Sequence, residues 1–129
     1  IETQTFQNPI GRLVGEDIYI ISIKSRCADG SLECYKRANH MDALTILKLG
    51  DYESIIEDTV AAIRKDMPSL KGVFSINCIL RYLMFKDLNY MDNYLKTMNQ
   101  LGTHVGLVGC GEHYKTQHVN QTMTCFAFD

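Results

Sequence analysis

The chain has 129 residues, 46% of them hydrophobic, and a formal net charge of −2. That is the size of one domain with one core, and so weak a charge excludes long-range attraction to nucleic acid or an anionic membrane surface. No apolar run approaches the roughly 20 residues that span a bilayer, and nothing near the start reads as a signal peptide. The expectation is a single domain, 1–129, cytoplasmic, with neither a membrane nor a nucleic-acid partner. The sequence starts at Ile1 without a Met and stops at Asp129 straight after an apolar run, which reads as a piece excised from a longer protein.

In chain order, Pro9, Gly11 and Gly15 punctuate an opening segment. Asp17 to Ser25 (DIYIISIKS) has the alternation of a strand, with Ile18 and Ile20 among the expected buried positions. Ala28-Asp29-Gly30-Ser31 is a turn signal, because Asp-Gly supplies the positive φ angles of a tight hairpin. Leu32 to Ala38 is the expected returning strand, and Ala43 to Leu49 a third, with Leu44 and Ile46 inward. Asp51 is placed to cap a helix. Tyr52, Ile55, Ile56, Val60, Ile63 and Met67 then recur at helical spacing as far as Pro68, which cannot continue the helix. Gly72 to Cys78 reads as a strand. Met84, Leu88, Met91, Leu95 and Met98 form a second helical stripe, read as core, with Tyr82, Tyr90 and Tyr94 off it and Gly102 as its stop. Val105 to Cys110 and Val119 to Phe128 are the last expected strands.

The resulting order, β-β-β-α-β-α-β-β, predicts an α+β fold: a mostly antiparallel sheet with two main helices, loosely PAS- or profilin-like. The five cysteines are odd in number, irregularly spaced and form no CxxC pair, which predicts free thiols in a reducing compartment. With Asp29-Gly30 as a two-residue turn, Cys27 faces Leu32 and Cys34 faces Ser25, so these two thiols miss each other.

Polar chemistry concentrates after the first helix. A strand ends in Asn77-Cys78, and Arg81 follows at the turn into a helix. A guanidinium placed there can grip a carboxylate with two parallel hydrogen bonds. Gly109 and Gly111 flank Cys110, so backbone can approach a ligand closely, and Glu112 follows as an acceptor for an ammonium or hydroxyl group. Strand alternation puts His118, Asn120, Thr122 and Thr124 on one face. Each cluster also has a plainer reading: a solvated arginine, a tight turn, the wet side of a strand.

Taken together, Cys78-x-x-Arg81, Gly109-x-Gly111-Glu112 and His118-x-Asn120-Gln121-Thr122 resemble the FIST C-terminal domain. Asn8-Pro9-Ile10-Gly11 resembles that family's start, so the likeness covers nearly the whole chain. The resemblance implies a sensory input domain of bacterial signal transduction that binds a small polar molecule such as an amino acid. It implies an N-terminal FIST domain and a signalling output domain or protein as partners, with no cofactor. By position it carries over Cys78, Arg81, Gly111, Glu112, His118, Asn120 and Thr122. The bulky Ile79-Leu80 pair and the polar stretch His113 to Gln117 depart from its pattern. An amino acid would then place its carboxylate on Arg81 and its ammonium on Glu112, in one pocket completed by His118, Asn120 and Thr122.

Rival readings are a homodimerisation or scaffolding module with a vestigial pocket, and a thiol enzyme using Cys78 or Cys110 with His104, His113 or His118. A metal held by Cys110, Glu112, His113 and His118 is a further alternative, without the paired ligand spacing of structural zinc. The favoured expectation is binding, with no catalytic residue and no metal.

Overall fold

The computed structural model describes residues 2–114 and 116–129; Ile1 and Lys115 lie outside the described residues. The fold is α+β. The opening segment already holds a short helix, α1 (Glu2–Gln7), and a strand, β1 (Ile10–Val14). Gly15, at φ +61°, turns β1 back onto β2 (Asp17–Ile21). The expected strand Asp17 to Ser25 is broken at Ser22, whose N–H donates to Asn120 Oδ1 (3.2 Å) and whose carbonyl accepts from the Tyr35 N–H (2.9 Å). Its backbone is thereby taken out of the ladder. The chain continues as β3 (Ile23–Arg26), paired with β4 (Leu32–Cys34).

The Asp29-Gly30 turn is present but longer than the two-residue form. The Gly30 N–H reaches the Cys27 carbonyl (3.0 Å), the Cys27 N–H reaches the Ser31 carbonyl (2.8 Å), and Gly30 takes φ +88°. That extra residue, with the bulge between Ile23 and Ser25, shifts the register, so Cys34 faces Ile23 and not Ser25. β5 (Ala43–Ile46) is shorter than expected and joins β1 on the side opposite β2. Burial in this sheet is also out of phase with the expectation. Tyr19 and Ile21 are buried, Ile18 and Ile20 lie on the other face, and Leu44 and Ile46 are exposed. The expectation took the isoleucines as inward; the sheet instead turns its Tyr19/Ile21 face to the rest of the protein.

A second three-stranded sheet sits in the other half of the chain: β6 (Gly72–Cys78) lies between β10 (Met123–Phe128) and β7 (Thr103–Gly109). β10 is antiparallel to β6, and β7 is parallel to it. The pairing is mostly antiparallel, as expected, but among the described residues the expected single sheet is divided into two three-stranded sheets and two hairpins, the second being β8 (His113–Tyr114) with β9 (Gln117–His118). Helices α2 (Tyr52–Asp66), α3 (Ile79–Asp87) and α4 (Met91–Met98) pack over one face of the β10-β6-β7 sheet, on Val73 and its neighbours Met123, Cys125 and Ala127. Asp51 caps α2 by accepting from the Ser54 N–H (3.1 Å), as expected.

The expected second helix is two helices. Asn89, at φ +53°, breaks it, and the Tyr90 N–H turns back to the Phe85 carbonyl (2.8 Å). The break rotates α4, so Leu95 is exposed while Tyr90 and Tyr94 are buried in the core. Two of the three tyrosines set off the stripe, Tyr90 and Tyr94, are therefore central. They form an aromatic cluster with Tyr52 and Phe85, with ring centroids 5.0–5.8 Å apart. The expected last strand, Val119 to Phe128, is interrupted in the same way: Gln121, at φ +55°, makes a bend between β9 and β10.

Candidate functional site

The C-terminal end of β6 divides the expected site residues into two groups. Register fixes the division, since side chains alternate across a strand. Asn77 lies on the helix-covered face with Val73 and Ser75; Cys78 points to the other face with Ile76.

Arg81 goes with Asn77. It stands in the first turn of α3, and its Nη1 donates to Asn77 Oδ1 (2.8 Å). The guanidinium carbon lies 4.4 Å from the Phe85 ring centroid and 5.1 Å from that of Tyr94. This packing suits a weakly hydrated planar cation.

Glu112 goes with Cys78. It is only 7% exposed, follows Gly111 at φ +93°, and its carbonyl accepts from the Val119 N–H (2.9 Å). Gly109 lies beside it: a Cβ there would stand 3.7 Å from Glu112 Oε1, an ordinary van der Waals contact. The Cys78 thiol is held above its ordinary value by burial first and by the nearby Glu112 as well. That approach falls short of hydrogen-bond geometry. Among the described residues neither carboxylate oxygen of Glu112 has a hydrogen-bond partner.

The segment after Glu112 closes over this end of the strand. His118 stacks on His113 (centroids 5.3 Å, planes 21° apart), and His113 Nδ1 lies 3.0 Å from the Gly111 carbonyl. Burial chiefly, then the neighbouring His113 and Lys36, lower the His118 pKa, with Glu112 opposing. Thr122 accepts the Cys78 N–H at its carbonyl (3.0 Å), and its side chain lines a cavity of about 230 Å³ with Asp17 and Tyr19. Asn120 is spent on structure, holding the Ser22 backbone. The bend at Gln121 means that His118, Asn120, Thr122 and Thr124 do not share one strand face. Cys110 is exposed at the rim.

The sequence reading missed four contributors. Arg12 on β1 pairs with Asp42 (3.6 Å) and donates to Gln117; Lys36 donates to the His118 carbonyl and lies over the Tyr19 ring (5.5 Å). Ser22 and Gln121 complete the set. Arg12 carried a signal, a cation inside the apolar run Ile10–Val14; Lys36 carried none. Together these residues explain where the polar imbalance lies. The buried side-chain atoms without a partner among the described residues are Arg12 Nε, Ser22 Oγ, both Glu112 oxygens, His118 Nε2, Gln121 Nε2 and Thr122 Oγ1. Each belongs to the 112–122 segment or to a residue bonded to it. Buried polar groups are normally paired, and each orphan costs about 1–3 kcal/mol. Such a concentration marks a place where ligand or water completes the structure.

The four cavities that line up with expected site residues or the core include none that holds both Arg81 and Glu112. Among the described residues no three His, Cys, Asp or Glu side chains are grouped to hold a metal ion, and no helix is long and apolar enough to cross a membrane. No family model matches the sequence, no curated protein matches it, and no solved structure matches the fold.

Proposed function

We propose that this chain is the small-ligand-binding input domain of a cytoplasmic signal-transduction protein, of the FIST C-terminal kind, and that it binds without catalysing a reaction. The observation that carries the reading is Glu112: a carboxylate 7% exposed, with neither oxygen hydrogen-bonded among the described residues, at the centre of the orphaned polar groups. A buried acceptor-only group calls for a donor-rich, cationic ligand. An amino acid meets that need with its ammonium on Glu112, and His118, Gln121 and Thr122 offer further polar contacts.

The test is a thermal-shift screen of amino acids and simple amines on the wild type and on Glu112→Gln. A ligand at a hundred times its Kd stabilises the fold by about 2.7 kcal/mol, enough to raise Tm by several degrees. A hit that loses most of its shift in Glu112→Gln supports the reading. A hit that shifts both proteins equally removes Glu112 from the site, and no hit among ammonium compounds overturns the proposal.

A second reading, a scaffolding or dimerisation module, is favoured by a separate observation. The face of the β10-β6-β7 sheet opposite the helices is apolar and open: Val105, Leu107, Phe126 and Phe128 are all more than half exposed. Monomers rarely leave a contiguous apolar patch of this kind uncovered. The accessible surface is 8498 Å², against about 6,900 Å² expected for a compact monomer of this mass. The two readings are compatible if a partner domain, such as the N-terminal FIST domain implied by the resemblance, covers that face. Sedimentation of the isolated chain separates them: a tight homodimer favours scaffolding, and a monomer favours the input-domain reading.

A further inference from the structure

Arg81 is a half-buried cation on the helix-covered side of the β10-β6-β7 sheet, and among the described residues no carboxylate pairs with it. A guanidinium carries five N–H donors. One goes to Asn77 Oδ1 at 2.8 Å, and the Tyr94 hydroxyl side of the cluster stands close by. The ion pairs among the described residues are Arg12–Asp42 and Lys24–Glu33, so Arg81 has no carboxylate partner there. Burial accordingly pushes its pKa below the ordinary value, the direction expected of a cation short of a counter-charge.

The same guanidinium lines a cavity of about 190 Å³ beneath α2. Its other walls are mostly apolar: Ile56, Val60 and Ile63 from α2, Met98 from α4 and Met123 from β10, with Tyr94 beside the guanidinium. At about 30 Å³ per water molecule this is room for about six waters, or for a compact organic molecule of similar bulk. The exposed residues of its lining are Ile55 and Thr59 on α2, so the cavity opens on that side. One fixed cation at the end of an otherwise greasy slot selects for an anion with an apolar body. The planar fork of Arg matches the two oxygens of a carboxylate. A phosphate, a sulfate or a second carboxylate would press further charged oxygens against isoleucine and methionine, where nothing solvates them.

We propose that Arg81 and this cavity form a binding site for a short-chain aliphatic monocarboxylate, separate from the Glu112 end of the strand. The carboxylate lies against the Arg81 guanidinium and the branched tail fills the space between Ile63 and Met98. The site does not depend on the Glu112 reading, because no cavity described above joins the two residues.

The experiment is isothermal titration of the 129-residue chain with isovalerate, and in parallel with 3-methylbutan-1-ol, which keeps the shape and loses the charge, and with succinate. Isovalerate should bind saturably, one per chain, and the alcohol and succinate each at least about tenfold more weakly, since a charge-assisted hydrogen bond is worth a decade or more. Arg81→Lys should weaken isovalerate by about tenfold while keeping the charge. Because Arg81 packs on two aromatic rings, a variant there can fail to fold; Thr59→Trp, on the exposed surface of α2, plugs the mouth instead. It should leave the circular dichroism spectrum and Tm near those of the wild type and abolish the isovalerate heat. Glu112→Gln should bind isovalerate as the wild type does, so failure here and failure of the Glu112 reading are told apart. Absence of saturable isovalerate binding to the folded wild type, equal binding of the alcohol, or undiminished binding to folded Thr59→Trp would each overturn the proposal.

Discussion

Two charges of opposite sign, half-buried Arg81 and buried Glu112, stand around the end of one strand, and they are treated differently. Arg81 is packed between Phe85 and Tyr94 and bonded to Asn77, on the side of the sheet that carries the hydrophobic core. Glu112 lies against Cys78 amid side chains that leave polar atoms unmatched. The two do not neutralise each other: among the described residues neither takes part in an ion pair. Burial alone therefore does not say what a charge lacks. Arg81 has packing and a hydrogen bond and lacks only a counter-charge, whereas Glu112 lacks hydrogen bonds on both oxygens, a cost that something else must offset.

Truncation should expose that difference most strongly. Arg81→Ala removes a side chain packed on two rings and strands Asn77 Oδ1, so it should destabilise the ligand-free chain by about 2–4 kcal/mol, read by urea unfolding. A loss below about 1 kcal/mol would place Arg81 outside the structural core. The two faces of the same sheet offer the next contrast. Val73→Ala, in the core, should cost about 2 kcal/mol. Leu107→Lys, on the open face at 58% exposure, should change stability of the isolated chain by no more than about 0.5 kcal/mol. A large loss at Leu107 would show that the open face is covered in solution.

Glu112→Gln should have the opposite sign to Arg81→Ala. Removing an unmatched buried charge without changing shape should stabilise the ligand-free chain by about 1 kcal/mol. Clear destabilisation would mean that the carboxylate is already satisfied.

The smallest effect is on pH dependence. His104, hydrogen-bonded to Ser75 on the covered face (2.8 Å), is lowered from its ordinary 6.5 by burial. His118 is lowered by burial first, then by His113 and Lys36, against the pull of Glu112. A folded-state pKa below the unfolded one gives stability that is full above 6.5 and is lost as pH falls through the folded value. Stability should therefore decline between pH 7.5 and 5.5, and each His→Gln variant should flatten the decline. Glu112→Gln removes the charge that holds the His118 pKa up, so it should steepen the His118 part and leave the His104 part unchanged. An identical pH profile in wild type and Glu112→Gln would separate His118 from Glu112.

What could be read in the sequence follows from where periodicity and caps are strong. Helix α2, its Asp51 cap and strand β6 stand where their spacing put them. The second helical stripe misled because Met84 to Met98 keeps its spacing straight through a break that only the backbone at Asn89 reveals. A residue other than glycine at positive φ leaves little trace in a pattern of apolar side chains, and the same holds at Gln121. Breaking a strand at Ser22 required Asn120, 98 positions away, which no local signal carries. The candidate site was legible in its residue types, Arg81, Glu112 and His118, but not in its grouping. Which side of β6 each occupies depends on strand register and on the Gly109–Gly111 turn. Arg12 reaches the site from β1 and Lys36 from the segment after β4, and the approach of both is a tertiary fact.

The most direct test of the account asks whether Glu112 meets the ammonium of its ligand. Take the best amino-acid hit and its deamino analogue, and measure Kd for both on the wild type and on Glu112→Gln by calorimetry. Removing either the carboxylate or the ammonium should weaken binding by about ten- to a hundredfold, and removing both should cost little more than removing one, because they form one contact. Losses that simply add, or an amino acid bound equally well by wild type and Glu112→Gln, would contradict it.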